Sequence, residues 1–170
     1  MKIPKYIEFH NETNSLLSRY LKEAEPAEGC AILIGHKNCS GAENKNNFWE
    51  IKHIWKCSNI WGEPNSKLIT QSISKLPDQK DIELSKRNRF EVDAIDYISA
   101  QKWARKHDLE ILCCAHSHPL NQNTPSETDL FWHKSPGLMV IANKTGHLKA
   151  WWIKNKFNFH RVKIKVLSLT

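Results

Sequence analysis

The stretch that most constrains this chain is residues 113–129, which read C-C-A-H-S-H-P-L-N-Q-N-T-P-S-E-T-D. An apolar run leads into it and predicts a short buried strand that ends at the histidines. Side chains alternate faces along a strand, so His116 and His118 point to one side while Ser117 points away. Two neighbouring imidazoles provide two of the three protein ligands that a catalytic zinc site uses.

The residues after the histidines add a helix start and a carboxylate. Pro119 stops the strand, and the polar composition of residues 120–124 predicts a loop. Ser126 is predicted to be the N-cap of a short helix. Asp129 lies one turn into that helix, where its carboxylate can turn back toward the imidazoles.

The histidine pair alone has low specificity, because two histidines on one strand face are as often packing or hydrogen-bonding residues as metal ligands. The whole pattern is far more specific. A His-x-His-Pro sequence followed by a Ser and an Asp at this spacing resembles the JAMM motif of the MPN/Mov34 metalloprotease family.

The same motif includes a glutamate far upstream. In JAMM proteins it lies in a segment similar to P-x-E-x-x-G-x-L-x-G, and residues 26–35 read P-A-E-G-C-A-I-L-I-G, with Ala31 at the usual glycine. On its own, Glu28 would be typical of a solvated charge at the entry to a strand. The resemblance instead identifies Glu28 as the candidate general base.

Hydrophobic periodicity predicts amphipathic helices over residues 11–25 and 94–107. The second helix is predicted to bury one stripe that contains Ile95, Ile98, Trp103 and Ala104. Residues 3–9 are predicted to form a short edge strand. The remaining strands are joined mostly by hairpins, so the pattern favours the α+β class. This agrees with the MPN/JAB fold that the resemblance implies, a three-layer α/β/α-like (cytidine-deaminase-like) arrangement in which helices flank a mostly antiparallel β-sheet.

The length fits one domain, residues 1–170, with its own hydrophobic core. Residues 57–88 show little periodicity and are predicted to be an insertion. This segment either contacts the substrate or forms a passive surface loop, and the sequence leaves both possibilities open.

The formal net charge of +7 comes from scattered lysines and arginines rather than from one dominant block. A solvated basic surface is the simpler interpretation, and nucleic acid is an unlikely partner because no nucleic-acid motif is present. The five cysteines include no C-x-x-C pair, which suits a reducing compartment. With no apolar stretch long enough for a membrane span, we expect a cytoplasmic protein.

The residue types specify a chemistry. Two imidazoles and the Asp129 carboxylate would hold one zinc ion per chain, with one position open for the water that the metal activates. A second carboxylate, Glu28, would take the proton of that water and deliver it to the leaving amine. By analogy with the serine of the family motif, Ser126 would donate a hydrogen bond to the negative oxygen of the tetrahedral state.

The resemblance also implies a substrate class. Active JAMM proteins hydrolyse an isopeptide or peptide bond after the C-terminal glycine of ubiquitin or a ubiquitin-like protein. A compact chain of this kind resembles the bacterial stand-alone members. These include deconjugases of anti-phage (CBASS-type) operons, which act beside activating-like and conjugating-like enzymes, and proteases that trim sulfur-carrier-like proteins. The choice among these contexts stays open.

Two other function classes remain. A non-catalytic MPN-type scaffold typically lacks the metal ligands, and the full set here argues against it. A basic nucleic-acid-binding domain with a structural zinc would need a closed four-ligand site, for example with Cys114 beside the two histidines. A zinc nucleobase deaminase is disfavoured because the chain has no H-x-E paired with P-C-x-x-C.

Overall fold

The computed structural model describes residues 2–40, 46–66, 85–120 and 123–168. Within these residues the chain forms seven strands and three helices. In chain order they are β1 (Tyr6–His10), α1 (Asn11–Glu23), β2 (Cys30–Ser40), β3 (Asn46–Cys57), α2 (Ala94–Lys106), β4 (Glu110–His118), α3 (Glu127–Trp132), β5 (Gly137–Asn143), β6 (Leu148–Asn155) and β7 (Asn158–Leu167).

The strands close into a barrel in the order β1-β3-β2-β4-β5-β6-β7. β1 closes it, because it pairs in parallel with β3 on one side and with β7 on the other. β4 and β5 are also parallel, while the other neighbouring strands are antiparallel. The sheet is therefore mixed.

The expected three-layer α+β arrangement, a mostly antiparallel sheet flanked by helices, is wrong. The pattern of residues 3–9 predicts an edge strand, whereas β1 has a neighbour on each side. Ile7 and Phe9 are fully buried because closure turns them into the barrel interior. A short apolar alternation indicates which side chains are buried, but it does not indicate how many strands flank the segment.

Strand alternation divides the apolar side chains between two clusters. In β2, Ala31 and Leu33 face the barrel interior, where they pack with residues of the other strands and with two leucines of α1. Ile32 and Ile34 face outward and pack against α2. The barrel interior and the β2–α2 contact therefore depend on opposite faces of the same strand.

The buried stripe predicted for α2 is also wrong in part. Ile95 and Ile98 are 71% and 50% exposed, whereas Ala100 and Ala104 are buried. Small side chains allow the C-terminal half of the helix to lie close to the sheet, and the N-terminal half leaves its isoleucines in solvent. The apolar periodicity thus identified the packing positions Trp103 and Ala104 in the C-terminal half and was wrong for Ile95 and Ile98 in the N-terminal half.

Most of the predicted insertion at residues 57–88 falls on residues 67–84, which lie outside the described residues. In the part of the chain that is described, no helix combines the length and the apolar character that crossing a membrane requires.

Gly35 provides a test of the barrel geometry. It lies at an irregularity in the pairing of β2 with β3, where a Cβ atom would stand 1.8 Å from the carbonyl oxygen of Glu50. We expect Gly35→Ala to lower the free energy of unfolding by about 1–3 kcal/mol, because one backbone must move away from the other. Chemical denaturation measures this value.

The matched control is Gly137→Ala. Its Cβ would first meet Nε2 of His133, at 3.3 Å, which is the end of a side chain and not backbone. We expect a clearly smaller loss, and equal losses in the two variants would contradict the described register.

Candidate metal centre

The last three residues of β4 bring two imidazoles together. Nε2 of His116 lies 2.9 Å from Nε2 of His118, and both side chains are buried. β4 has β2 on one side and β5 on the other, so its backbone is held along both edges. The ring of Phe90 stacks on His116 with the centroids 4.4 Å apart, which covers one imidazole face.

Asp129 reaches both imidazoles from the first turn of α3. Its Oδ1 lies 3.3 Å from Nε2 of His116, and its Oδ2 lies 3.2 Å from Nε2 of His118. A capping box fixes the carboxylate: the N–H and hydroxyl of Ser126 donate to Oδ2 at 2.7 and 2.8 Å, and the Asp129 N–H donates to Ser126 Oγ at 3.1 Å. The N-cap predicted at Ser126 is thus present, and it also orients the carboxylate.

Glu28 arrives from the entry to β2. The antiparallel register pairs Cys30 with His116, so continuing it by two residues sets Glu28 opposite His118. Oε1 of Glu28 lies 3.8 Å from Nε2 of His118. The Glu28 N–H donates to the carbonyl of Lys86 at 2.7 Å.

Backbone contacts set the spacing between Glu28 and the histidines. The N–H of Gly29 donates to Oγ of Ser117 at 2.8 Å, and the N–H of Ser117 donates to the Gly29 carbonyl at 3.0 Å. A Cβ at Gly29 would lie 2.8 Å from the carbonyl oxygen of Leu21 in α1. Ser117, which points away from the imidazoles, therefore joins the two strands, and glycine is the residue that fits between them and α1.

The two carboxylates have opposite pKa shifts. Burial raises the pKa of Glu28 to about 8, and the nearby His118 opposes this shift only in part. Burial would raise the pKa of Asp129 as well, but the charge and hydrogen bond of His116, with further hydrogen bonds from His118 and the Ser126 N–H, hold that pKa well below its usual range. Burial also lowers the pKa of His116, against the attraction of Asp129. Asp129 thus favours its ionised form, while Glu28 readily takes up a proton.

These residues fit a metal ion. Glu28, His116 and His118 form a buried group that could hold one, with ligand atoms all within 4.8 Å of one another. A tetrahedral zinc ion with bonds of about 2.0 Å has ligand atoms about 3.3 Å apart. Each oxygen of Asp129 lies about that far from one ring nitrogen, Oδ1 from His116 and Oδ2 from His118, and the nitrogen pair at 2.9 Å is slightly closer. The 2.9 Å contact is an N–H···N hydrogen bond whose donor depends on the histidine tautomers, whereas a bound cation would accept the lone pair of both Nε2 atoms.

All five residues singled out in the sequence lie at this one place: Glu28, His116, His118, Ser126 and Asp129. Cys114, the alternative fourth ligand of a structural zinc, packs in the apolar cluster beneath α2. Burial raises the pKa of its thiol to about 11, which keeps it a neutral thiol as long as no metal is bound.

Sequence reasoning missed Asn59, which positions the glutamate. Its Nδ2 donates to the carbonyls of Glu28 at 2.9 Å and Arg89 at 3.1 Å. Its Oδ1 accepts from the N–H groups of Trp61 and Glu91. Asn59 thereby joins the chain after β3 to the segment before α2.

Asn123 was missed as well. It is 2% exposed, and its Nδ2 donates to the carbonyl of His147 at 2.8 Å. Its own carbonyl accepts from Nε1 of Trp151 at 2.8 Å. These contacts tie Asn123, which lies between β4 and α3, to β6 and to the residue that precedes it. Asparagine is so common in loops that nothing in a single sequence marks the half-buried Asn59 or the buried Asn123.

Comparison with known proteins connects this geometry to a family. The pattern of the prokaryotic homologs of the JAB domain matches residues 10–154. The desampylase of Pyrococcus furiosus is 30% identical over 111 residues, which cover 65% of this chain and 74% of that protein.

Solved structures share the fold. A protein from Desulfitobacterium hafniense superposes with a TM-score of 0.71 at 18% identity, over 96% of this chain and 94% of that one. A JAB1/MPN domain protein from Archaeoglobus fulgidus superposes with a TM-score of 0.50 at 14% identity, over 95% and 98%. With most of its length matched by the family pattern, this chain belongs to the prokaryotic homologs of the JAB domain.

Proposed function

We propose that this protein is a zinc-dependent isopeptidase or peptidase that hydrolyses the bond after the C-terminal glycine of a ubiquitin-like protein. The observation that carries the proposal is the arrangement of two carboxylates around paired imidazoles. Asp129 contacts both rings, while Glu28 stands beside one of them with a raised pKa. Membership of the JAB family and similarity to a desampylase support a deconjugating hydrolase.

In this proposal His116, His118 and Asp129 hold the metal and Glu28 does not. Glu28 also belongs to the group that could bind an ion, so the two carboxylates compete for the third position. The distances favour Asp129. Its Oδ2 lies 3.2 Å from Nε2 of His118 and its Oδ1 lies 3.3 Å from Nε2 of His116, whereas Oε1 of Glu28 lies 3.8 Å from Nε2 of His118. Orientation favours Asp129 too, because the N–H and hydroxyl of Ser126 hold its Oδ2 in place at 2.7 and 2.8 Å.

Bound zinc would supply the Lewis acidity that activates a water for attack on an amide carbonyl. Glu28 accepts the proton of the attacking water on its carboxylate, which its raised pKa favours. Glu28 then delivers that proton to the nitrogen of the leaving amine. The products are a carboxylate at the C-terminal glycine and a free amino group.

Ser126 has two roles in this scheme. Its Oγ accepts from the Asp129 N–H as the N-cap, and its hydroxyl donates to Oδ2 of Asp129 at 2.8 Å. The hydroxyl hydrogen can rotate to a substrate oxygen while Oγ keeps the N-cap contact. The Ser126 N–H still holds Oδ2 at 2.7 Å, so the carboxylate does not lose its position.

The substrate would be a ubiquitin-like or sulfur-carrier-like protein, and activating-like or conjugating-like enzymes encoded nearby would be its functional partners. A role in anti-phage defence belongs to the same proposal. So does the organisation of residues 1–170 as a single domain with an insertion at 57–88.

Glu28→Gln separates proton transfer from metal binding. The amide keeps the shape of the side chain but cannot take the proton, so we expect about one zinc per chain to remain and kcat to fall by about 10²–10⁴-fold. Metal analysis and cleavage of a ubiquitin-like fusion measure the two effects. A variant that loses its zinc would instead identify Glu28 as a ligand.

Asp129→Ala and Cys114→Ser distinguish an open catalytic site from a structural one. We expect the alanine variant to bind zinc at least tenfold more weakly, a loss of the size known for changes around metal sites, because one of three ligands is gone. The serine variant should bind it as the wild type does. Competition with a chromogenic chelator gives both affinities. The reverse order of affinities would support a structural zinc held by Cys114.

Substrate choice tests the remaining part of the proposal. Binding energy from a folded ubiquitin-like body, remote from the scissile bond, should be needed to place that bond. We therefore expect cleavage of a ubiquitin-like fusion and negligible cleavage of an unfolded generic protein at the same concentration. Comparable kcat/KM values for the two would contradict a ubiquitin-like specificity.

A further inference from the structure

A cavity of about 220 Å³ opens beside the candidate metal centre. Asp129 forms part of its wall, and apolar side chains such as Phe90, Trp132 and Met139 form much of the rest. Arg89 is the only lysine or arginine among the described residues that line it. A pocket of this kind suits a ligand that combines an apolar group with hydrogen-bond acceptors.

Arg89 is held at both ends. Its guanidinium lies over the ring of Trp61, with Cζ 5.6 Å from the centroid. Trp61 is itself 2% exposed, and its Nε1 donates to Oγ of Ser85 at 2.7 Å. The Arg89 carbonyl accepts from Nδ2 of Asn59, the same atom that donates to the carbonyl of Glu28. Asn59 therefore couples the position of Arg89 to that of Glu28.

Within residues 2–40, 46–66, 85–120 and 123–168, no carboxylate forms an ion pair with the guanidinium of Arg89. The positive charge of Arg89 also acts on Glu28, because it lowers the pKa of that carboxyl against the larger effect of burial. A guanidinium carries five N–H donors, and a half-buried one needs acceptors. The cavity leaves room for a bound molecule to provide them.

We propose that Arg89 binds the backbone carbonyl oxygens of the substrate tail next to the scissile bond, and the carboxylate that cleavage creates on that tail. The apolar walls would take an adjacent apolar side chain. This inference rests on the proposed function, because it assumes that the bond to be cleaved lies between Glu28 and the metal ligands.

The charge of Arg89 would compensate the negative charge of the cleaved tail. Hydrolysis adds a water across the amide bond and leaves a carboxylate close to Glu28 and Asp129, both acidic groups in a buried setting. A fixed guanidinium offsets that repulsion and can hold a carboxylate through two parallel hydrogen bonds. Arg89 would thus be a binding residue for the tail and not a proton-transfer group.

The test compares two short peptides that end in Gly-Gly, one with a free carboxylate and one with a C-terminal amide. Binding to the zinc-loaded protein is measured by NMR titration. We expect the wild type to bind the acid about tenfold more tightly than the amide, the effect of a hydrogen bond to a charged group. Arg89→Met should lose this preference, and Arg89→Lys, which keeps the charge, should retain part of it.

Arg161→Met is the matched control, because Arg161 is an exposed arginine of β7 that lines a different cavity. It should keep the full preference for the acid. Thermal unfolding verifies that each variant is folded. If Arg89→Met is unfolded, the reduced acid preference of Arg89→Lys tests the inference in its place. With a cleavable fusion, Arg89→Met should raise KM and leave kcat nearly unchanged, unlike Glu28→Gln.

An acid preference that survives in Arg89→Met, or that falls equally in Arg161→Met, would overturn the inference. Peptide binding requires no turnover. A wild-type protein that prefers the acid, with an Arg89→Met variant that loses this preference, but that cleaves no fusion would therefore refute the proposed hydrolase and leave Arg89 as a residue that binds a peptide carboxylate.

Discussion

The pairing of β2 with β4 is the constraint on which the candidate centre depends. Its antiparallel register sets Cys30 opposite His116 and hence Glu28 opposite His118, across a sequence separation that no local interaction could bridge. The reciprocal contacts of Gly29 and Ser117 fix that register at the end of the strands. Because backbone groups hold this spacing, the side chains that face the centre are free to serve chemistry.

Within that frame, two buried carboxylates behave differently because their neighbours differ. Asp129 receives hydrogen bonds from a helix cap and lies against two imidazoles, so its pKa falls despite burial. Glu28 has one imidazole at 3.8 Å and otherwise little to offset burial, so its pKa rises to about 8. A pair of titratable groups with opposite shifts is typical of catalytic sites, where one group stays charged while the other exchanges a proton.

Sequence reasoning reached the centre through local rules and missed what depends on tertiary structure. Strand alternation brought the two histidines to one face, and the Ser-x-x-Asp spacing predicted the cap that orients Asp129. Glu28 was identified only through resemblance to a family, since a register across the sheet leaves no signature in one sequence. Barrel closure and the contacts of Asn59 were missed for the same reason: strand neighbours and loop contacts are set by chain segments far apart in sequence.

The central claim is that three side chains hold the metal while a fourth, set opposite them by the strand register, handles the proton. The most direct measurement is a crystal structure of the zinc-loaded protein, with the ion located by anomalous scattering. The account predicts bonds from zinc to His116, His118 and Asp129, with both Glu28 oxygens outside bonding distance. A zinc ion bonded to Glu28 with Asp129 displaced, or one located away from the two histidines, would contradict it.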